Sequence, residues 1–180
     1  MVYLSIDTTV TDEESVHYQT EFLNSIKVAG LPSHKLCIKV GMPVMVMRSL
    51  PPPRVMNGTR CIVIRTTQNA VIVKIASGPY SGKIHCIPRI SLQPSDFSLP
   101  FSFVRRQFPL QPCMAMTINK AQGQTMKFIG LHLETPVFAH RMLYVALLYV
   151  ALSRTGNRNG NWILAPESKS RNVVYPEALH

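Results

Sequence analysis

Nine consecutive residues, Thr117-Ile118-Asn119-Lys120-Ala121-Gln122-Gly123-Gln124-Thr125, carry six polar side chains and one glycine. Thr117, Asn119 and Thr125 can donate hydrogen bonds to phosphate oxygens, and Lys120 adds positive charge. Gln122 and Gln124 can bond a nucleotide or a sugar. Gly123 lets the backbone approach a ligand closely or adopt a positive φ. A turn that satisfies only its own backbone is the plainer reading, but so many polar groups exceed what a turn requires. About thirty residues on, Val150-Ala151-Leu152-Ser153-Arg154 closes an apolar helical stretch with one cation. Its guanidinium either caps the helix dipole, for about 0.3–1 kcal/mol, or faces a transferring phosphoryl group, where it counts for far more in rate. The sequence contains no G-x-x-x-x-G-K-S/T, so no phosphate-cradling loop is visible.

The elements that must position these groups are legible from pattern. Val2 to Ile6 reads as a short buried strand, Thr8 to Gln19 as a solvated acidic loop, and Glu21 to Ile26 as a helical turn. Five runs rich in Val and Ile come next: Leu36 to Val40, Val44 to Arg48, Thr59 to Thr66, Ala70 to Ala76 and Lys83 to Pro88. Turn residues such as Pro51-Pro52-Pro53, Asn57-Gly58 and Gly78-Pro79 separate them, which points to a small antiparallel barrel. The run Ala70 to Ile75 alternates too little to decide its buried face. Beyond Phe101, Cys113 to Ile118 and Phe128 to Leu133 read as strands, Val137 to Arg154 as a long helix, and Asn161 to Leu164 as a last strand. Strand, helix, strand predicts a βαβ crossover in a parallel sheet, with ligands at the strands' carboxyl ends. The expected fold is therefore an α/β domain, residues 1–35 plus 96–180, interrupted by a barrel at 36–95.

Charge is unevenly spread. The first 21 residues hold five acids and no Lys or Arg, whereas the remaining 159 hold all 19 basic residues against four acids. A body this basic suits a polyanion, since each neutralised phosphate releases counterions; a merely soluble basic surface is the alternative. Arg105 and Arg106 lie among Phe101, Phe103 and Phe108, an interleaving that serves single-stranded nucleic acid if the rings are free, or a core if they are buried. The four cysteines (Cys37, Cys61, Cys86, Cys113) are spaced by 24, 25 and 27 residues and match no ligand pairs; buried free thiols are expected. The six His are scattered, and no metal site is expected. The longest apolar run, Met142 to Leu152, suits a buried helix and is too short for a membrane span.

The chain resembles the C-terminal portion of ATP-dependent DNA helicases of the petite integration frequency (Pif) family, particularly the plant and Helitron-transposon type. The resemblance runs in order through Tyr3-Leu4-Ser5, Glu21-Phe22-Leu23-Asn24, Gly30-Leu31-Pro32-Ser33-His34-Lys35-Leu36, Lys39-Val40-Gly41-Met42-Pro43-Val44-Met45 and Asn57-Gly58-Thr59-Arg60. It continues through Pro88-Arg89-Ile90, Arg105-Arg106-Gln107-Phe108-Pro109, the Thr117 to Thr125 loop, and Leu148-Tyr149-Val150-Ala151-Leu152-Ser153-Arg154.

The resemblance implies a motor with two RecA-like domains moving 5′ to 3′ on single-stranded DNA, with residues 36–95 as an SH3-like barrel inserted in the second domain. It implies that Thr117, Asn119 and Lys120 face the DNA; Gln122, Thr125, Arg105 and Arg106 join them as expected DNA contacts on their own chemistry. Gly123 and Gln124 would lie near the nucleotide, and Arg154 would reach the γ-phosphate as the catalytic cation. ATP and Mg2+ are the family's cofactors, and neither is expected to bind this chain tightly alone. A separate N-terminal motor domain is one partner this allows, an upstream in-frame motor segment the other, and a fragment inactive by itself is the leading reading. A non-catalytic nucleic-acid-binding module or a decayed transposon-derived remnant is the alternative. The family further implies a nuclear location (or a mitochondrial one) and roles in DNA repair, recombination and telomere maintenance. One departure stands out: Leu143-Tyr144-Val145-Ala146-Leu147 repeats at once as Leu148 to Leu152. Five extra helical residues turn the downstream chain by about 140° net and add about 7.5 Å. The second copy, attached to Ser153-Arg154, is expected to keep the register.

Overall fold

The computed structural model describes residues 1–11, 17–51, 55–94, 99–134, 142–143, 149–170 and 173–175. They gather into two compact units, residues 1–114 and 115–180. In the first, ten strands run in order: β1 Val2–Leu4, β2 Ile6–Thr9, β3 Lys35–Cys37, β4 Pro43–Val46, β5 Arg60–Thr66, β6 Ala70–Ile75, β7 Ile84–Pro88, β8 Ile90–Leu92, β9 Phe103–Gln107 and β10 Leu110–Pro112. A short helix, Thr20–Ser25, lies between β2 and β3.

Side-chain alternation sets the main sheet. In β6, Val71, Val73 and Ile75 are buried while Lys74 points to solvent, so the face left undecided by composition is settled by packing. β-Branched residues fit this pleated surface well. Thr67 closes the β5–β6 hairpin, its hydroxyl donating to Ala70 O (2.9 Å) and accepting from Ala70 N (3.0 Å). Val44, Val46, Cys61, Val63, Val71, Val73, Ile87 and Leu110 form one core with Tyr3, Leu36 and Phe108. Each such side chain, fully buried, contributes roughly 1.5–3 kcal/mol.

The sheet differs from the expected barrel. Its order is β10-β4-β5-β6-β7, antiparallel throughout, and among the described residues its two end strands do not pair to close it. The run at Leu36 leaves the sheet to pair with β1. Its place at the edge is taken by β10, from outside 36–95, whose Leu110 pairs opposite Val46. No strand forms over the expected Cys113 to Ile118; the strand ahead of it, β10, ends at Pro112 and runs antiparallel to β4. Parallel pairing within the described residues is confined to the second unit.

A three-stranded sheet, β2-β9-β8, holds the other core of the first unit, with Leu23, Leu31, Leu92, Phe101 and Phe103. The expected DNA-binding pair Arg105-Arg106 is split here. Period-two alternation in β9 buries Phe103, Arg105 and Gln107 and exposes Arg106. Arg105 stands directly opposite Asp7 of β2. Its Nε donates to both Asp7 oxygens (3.0 and 3.1 Å), and Nη2 donates to Oδ2 (2.7 Å) and Leu23 O (2.8 Å). Nη1 donates to Ile26 O (3.1 Å) and Pro32 O (3.2 Å). All five guanidinium donors are thereby satisfied inside the protein. Arg105 is a core residue, and its assignment to DNA is corrected; Phe101, Phe103 and Phe108 are likewise buried.

None of the four cysteines forms a disulfide, but only Cys61 and Cys113 are buried; Cys37 and Cys86 are exposed. Strand alternation is the reason, because each exposed thiol neighbours an inward residue, Leu36 or Ile87. Burial pushes the Cys61 thiol up to about 11. Its neutral form is favoured by folding, so the associated stability is intact below pH 9 and declines as pH rises towards 11. Under native conditions at neutral pH a thiol reagent should modify Cys37 and Cys86 quickly and Cys61 and Cys113 slowly, with all four equal once unfolded. Replacing Arg105 by Ala should cost about 3–5 kcal/mol by stranding a buried carboxylate. Arg106→Ala should change stability by less than about 0.5 kcal/mol; urea unfolding of the two variants makes the comparison.

Candidate functional site

The second unit mounts the polar loop and the arginine on adjoining backbone. Thr117 is extended (φ −68°, ψ 151°) and leads into a 3-10 turn, Ile118–Ala121. The turn closes through Lys120 N to Thr117 O (3.0 Å) and Gln122 N to Asn119 O (3.2 Å). Ala121 is buried, whereas Thr117, Asn119, Lys120, Gln122, Gly123 and Thr125 are exposed. Gln124 is half-buried and its Nε2 donates to Lys120 O (2.9 Å), which braces the turn. Gly123 has φ 77°, and a Cβ there would meet nothing within 4 Å. Its positive φ is one of the two uses open to this glycine.

Directly after the loop, Met126 bridges Thr155 in parallel, and Met126 N donates to Arg154 O (3.0 Å). Strands β11 (Ile129–His132) and β12 (Asn161–Leu164) then pair in parallel, Ile129 opposite Asn161 through His132 opposite Leu164. The β12 span matches the sequence expectation residue for residue. Asn161 Nδ2 donates to Thr155 Oγ1 (2.7 Å), tying the residue after Arg154 to the start of β12. That tie is not foreseen from sequence; its only sign there is two hydrogen-bonding side chains six residues apart. The long helix expected over Val137 to Arg154 lies largely outside the described residues, as do positions 144–148 of the repeated segment and hence its register. Its end is described: Leu152–Arg154 is a 3-10 turn.

The Arg154 guanidinium folds back over that turn. Nε donates to Val150 O (2.9 Å) and Ser153 Oγ (3.2 Å), and Nη2 to Ser153 Oγ (2.7 Å); Ser153 in turn donates to Tyr149 O. Lys120, Lys127 and Arg158 are exposed nearby in sequence, and no carboxylate occurs between residues 97 and 133. The donor set suits phosphate oxygens. The loop itself carries no Asp or Glu, the side chains that ordinarily hold Mg2+.

Ser5, Asp7 and His34 in the first unit resemble a hydrolytic trio in composition alone. Ser5 Oγ donates to Asp7 Oδ1 (2.7 Å) and meets His34 Nδ1 (2.7 Å). The serine sits between acid and imidazole, so no base is oriented by the acid. With its proton given to Asp7, the serine accepts from Nδ1–H. Asp7 is also engaged by Arg105. This is a structural network.

Residues 21–66 match the family model for the DNA helicase Pif1 2B domain. Over 176 residues the chain is 28% identical to the ATP-dependent DNA helicase Pif1 of Bdellovibrio bacteriovorus, covering 97% of this chain and 38% of that one. Over nearly all of its length the chain is similar to a portion of this Pif1 helicase. Its fold agrees over 99% of its length with Candida albicans Pif1 (TM-score 0.67, 22% identity, 42% of that chain covered). A Bacteroides Pif1 in complex with ADP-AlF3 and ssDNA gives TM-score 0.63 and 22% identity, again over 99% of this chain and 37% of the other. The chain thus spans less than half of each of these three helicases.

Gly123→Ala should cost about 1–2 kcal/mol, because positive φ strains a Cβ and no contact compensates. A denaturant titration monitored by Trp162 fluorescence, the single tryptophan, reads this unit directly.

Proposed function

We propose that this chain works as the C-terminal portion of a 5′ to 3′ DNA helicase, of the plant or Helitron-like type. It would contribute single-stranded DNA contacts and one γ-phosphate-facing arginine. The observation that carries the reading is the Met126–Arg154 backbone bond. It joins the exit of the polar loop to the arginine turn, so that movement of one is felt by the other.

In this reading Thr117, Asn119, Lys120, Gln122 and Thr125 hold the DNA backbone from their exposed loop. Arg106, exposed on β9, adds charge. Gly123 and Gln124 line the nucleotide side. ATP, when bound, supplies the phosphoryl group to be transferred. Arg154 would release Val150 O and Ser153 Oγ and swing its guanidinium outward to neutralise developing charge. Those two acceptors hold it in a parked position until an anion competes for its donors. Magnesium and the phosphate cradle would come from a separate motor domain, and the five-stranded sheet β10-β4-β5-β6-β7 would be the counterpart of the SH3-like insert. Nuclear DNA repair, recombination and telomere maintenance are the processes such an assembly would serve.

Binding to an oligo-dT strand, read by fluorescence anisotropy, should weaken with salt at a log–log slope near −0.7 per phosphate contacted. Lys120→Ala should flatten that slope by about one such increment. Absence of binding at low salt would sink the proposal. Arg154→Ala should leave oligo-dT affinity nearly unchanged yet abolish ATP turnover measured with an added motor domain. The chain alone should turn over no ATP.

A further inference from the structure

Asparagine is followed by glycine twice in this chain, at Asn57-Gly58 and at Asn159-Gly160. In such a pair the glycine nitrogen can attack the asparagine side-chain amide carbon, because no Cβ hinders its approach. A bond forms between that nitrogen and Cγ, and the side-chain nitrogen leaves as ammonia with the proton the glycine gives up. Water then opens the succinimide ring at either carbonyl, leaving aspartate or isoaspartate.

The attacking nitrogen must first lose its hydrogen bond and its proton, so what holds each glycine N–H sets the rate. Gly58 N donates to Val46 O (2.8 Å), and Val46 N donates back to Thr59 O (2.9 Å). Val46 is fully buried in β4, a strand paired on both sides. Freeing that amide means opening the five-stranded sheet. Gly160 N donates instead to Asn157 O (3.0 Å), within the 3-10 turn Arg158–Gly160. Asn157, Arg158 and Asn159 are all exposed. Only that turn has to loosen, and local openings cost far less than global ones. Asn57 is exposed as well, so access of water does not separate the two sites.

The product fits poorly at position 159. Gly160 is buried, and a Cβ on it would collide with Lys127 O. Isoaspartate adds a methylene to the main chain immediately ahead of this tightly packed residue. Asn161, next along, pairs with Ile129 and donates to Thr155 Oγ1 (2.7 Å). Lengthening the backbone there pushes β12 out of register with β11.

We propose that Asn159 is a site of spontaneous deamidation, and that isoaspartate formed there unpairs β12 from β11. Asn57 has the same glycine neighbour and is protected by the sheet. The second unit thereby carries a slow chemical clock that the first unit lacks.

The test incubates the whole chain at mildly alkaline pH. Peptides from it are followed by mass spectrometry, with fragmentation that separates aspartate from isoaspartate. Residue 159 should convert at least ~10-fold faster than residue 57. In denaturing urea the two rates should become similar, because both glycine amides are then free. Trp162, the single tryptophan, packs against Phe128 with ring centroids 5.6 Å apart and reports the pairing. Its native emission should fade in step with isoaspartate at 159. Asn159→Ser cannot form the ring and should keep that emission over the same period. Equal conversion of the two residues in the folded chain overturns the proposal, as does faster conversion at 57 or none at 159. A difference that persists in urea overturns it too, since the flanking sequence and not the fold is then the cause. Native emission retained despite isoaspartate at 159, or lost equally fast in Asn159→Ser, overturns the unpairing.

Discussion

A buried ion pair organises the first unit. Arg105 and Asp7 are 98 residues apart in the chain and meet across β9 and β2 with almost no solvent contact. Taking both charges out of water costs several kcal/mol per ion, which only near-complete hydrogen bonding offsets. The structure meets that demand by bringing Leu23 O, Ile26 O and Pro32 O to the same guanidinium. Helix end, adjoining turn and two strands are thus held to one rigid fork. Gln107, two residues on, extends the arrangement by donating to His34 O (3.0 Å) and accepting from Phe108 N (3.0 Å). The pair stabilises less than an apolar replacement of the same shape could; what it specifies is which backbones must converge.

That convergence has a consequence for charge. Asp7 and Arg105 cancel one another inside, so the formal excess of +10 is carried by the other side chains. The strands after β2 carry no carboxylate, and apart from Arg105 and the half-buried Arg60 their Lys and Arg side chains face solvent. Arg89 shows how even these are used: it donates to Leu4 O (2.7 Å) and lies over the rings of Phe108 and Tyr3. Burial in turn pushes the Tyr3 hydroxyl above its ordinary range.

The second unit works by a different constraint. Its parallel pair is short, and the polar loop and arginine turn are anchored by a single bridge ahead of it. Little ties the side chains of the site themselves, apart from the contacts of Gln124 and Arg154 with their own turns. Such a site is held in register by backbone while its side chains stay available, which suits groups that must let go of one anion and take another.

Much of this is written in the chain. Local spacing is enough for the strands at 60–66, 70–75 and 161–164, for the turn chemistry between them, and for the polar loop with its glycine, because each depends on neighbours a few residues away. What it cannot decide are choices between distant partners. Arg105 and Arg106 are adjacent and chemically alike, and only the strand that pairs with β9 determines which is inside. The same holds for the sheet that takes β10 as its edge instead of closing, and for Arg154, whose guanidinium rests on its own turn. Pairing register over long separations is a property of the packed whole, since burial energy is shared among segments that carry no local record of one another.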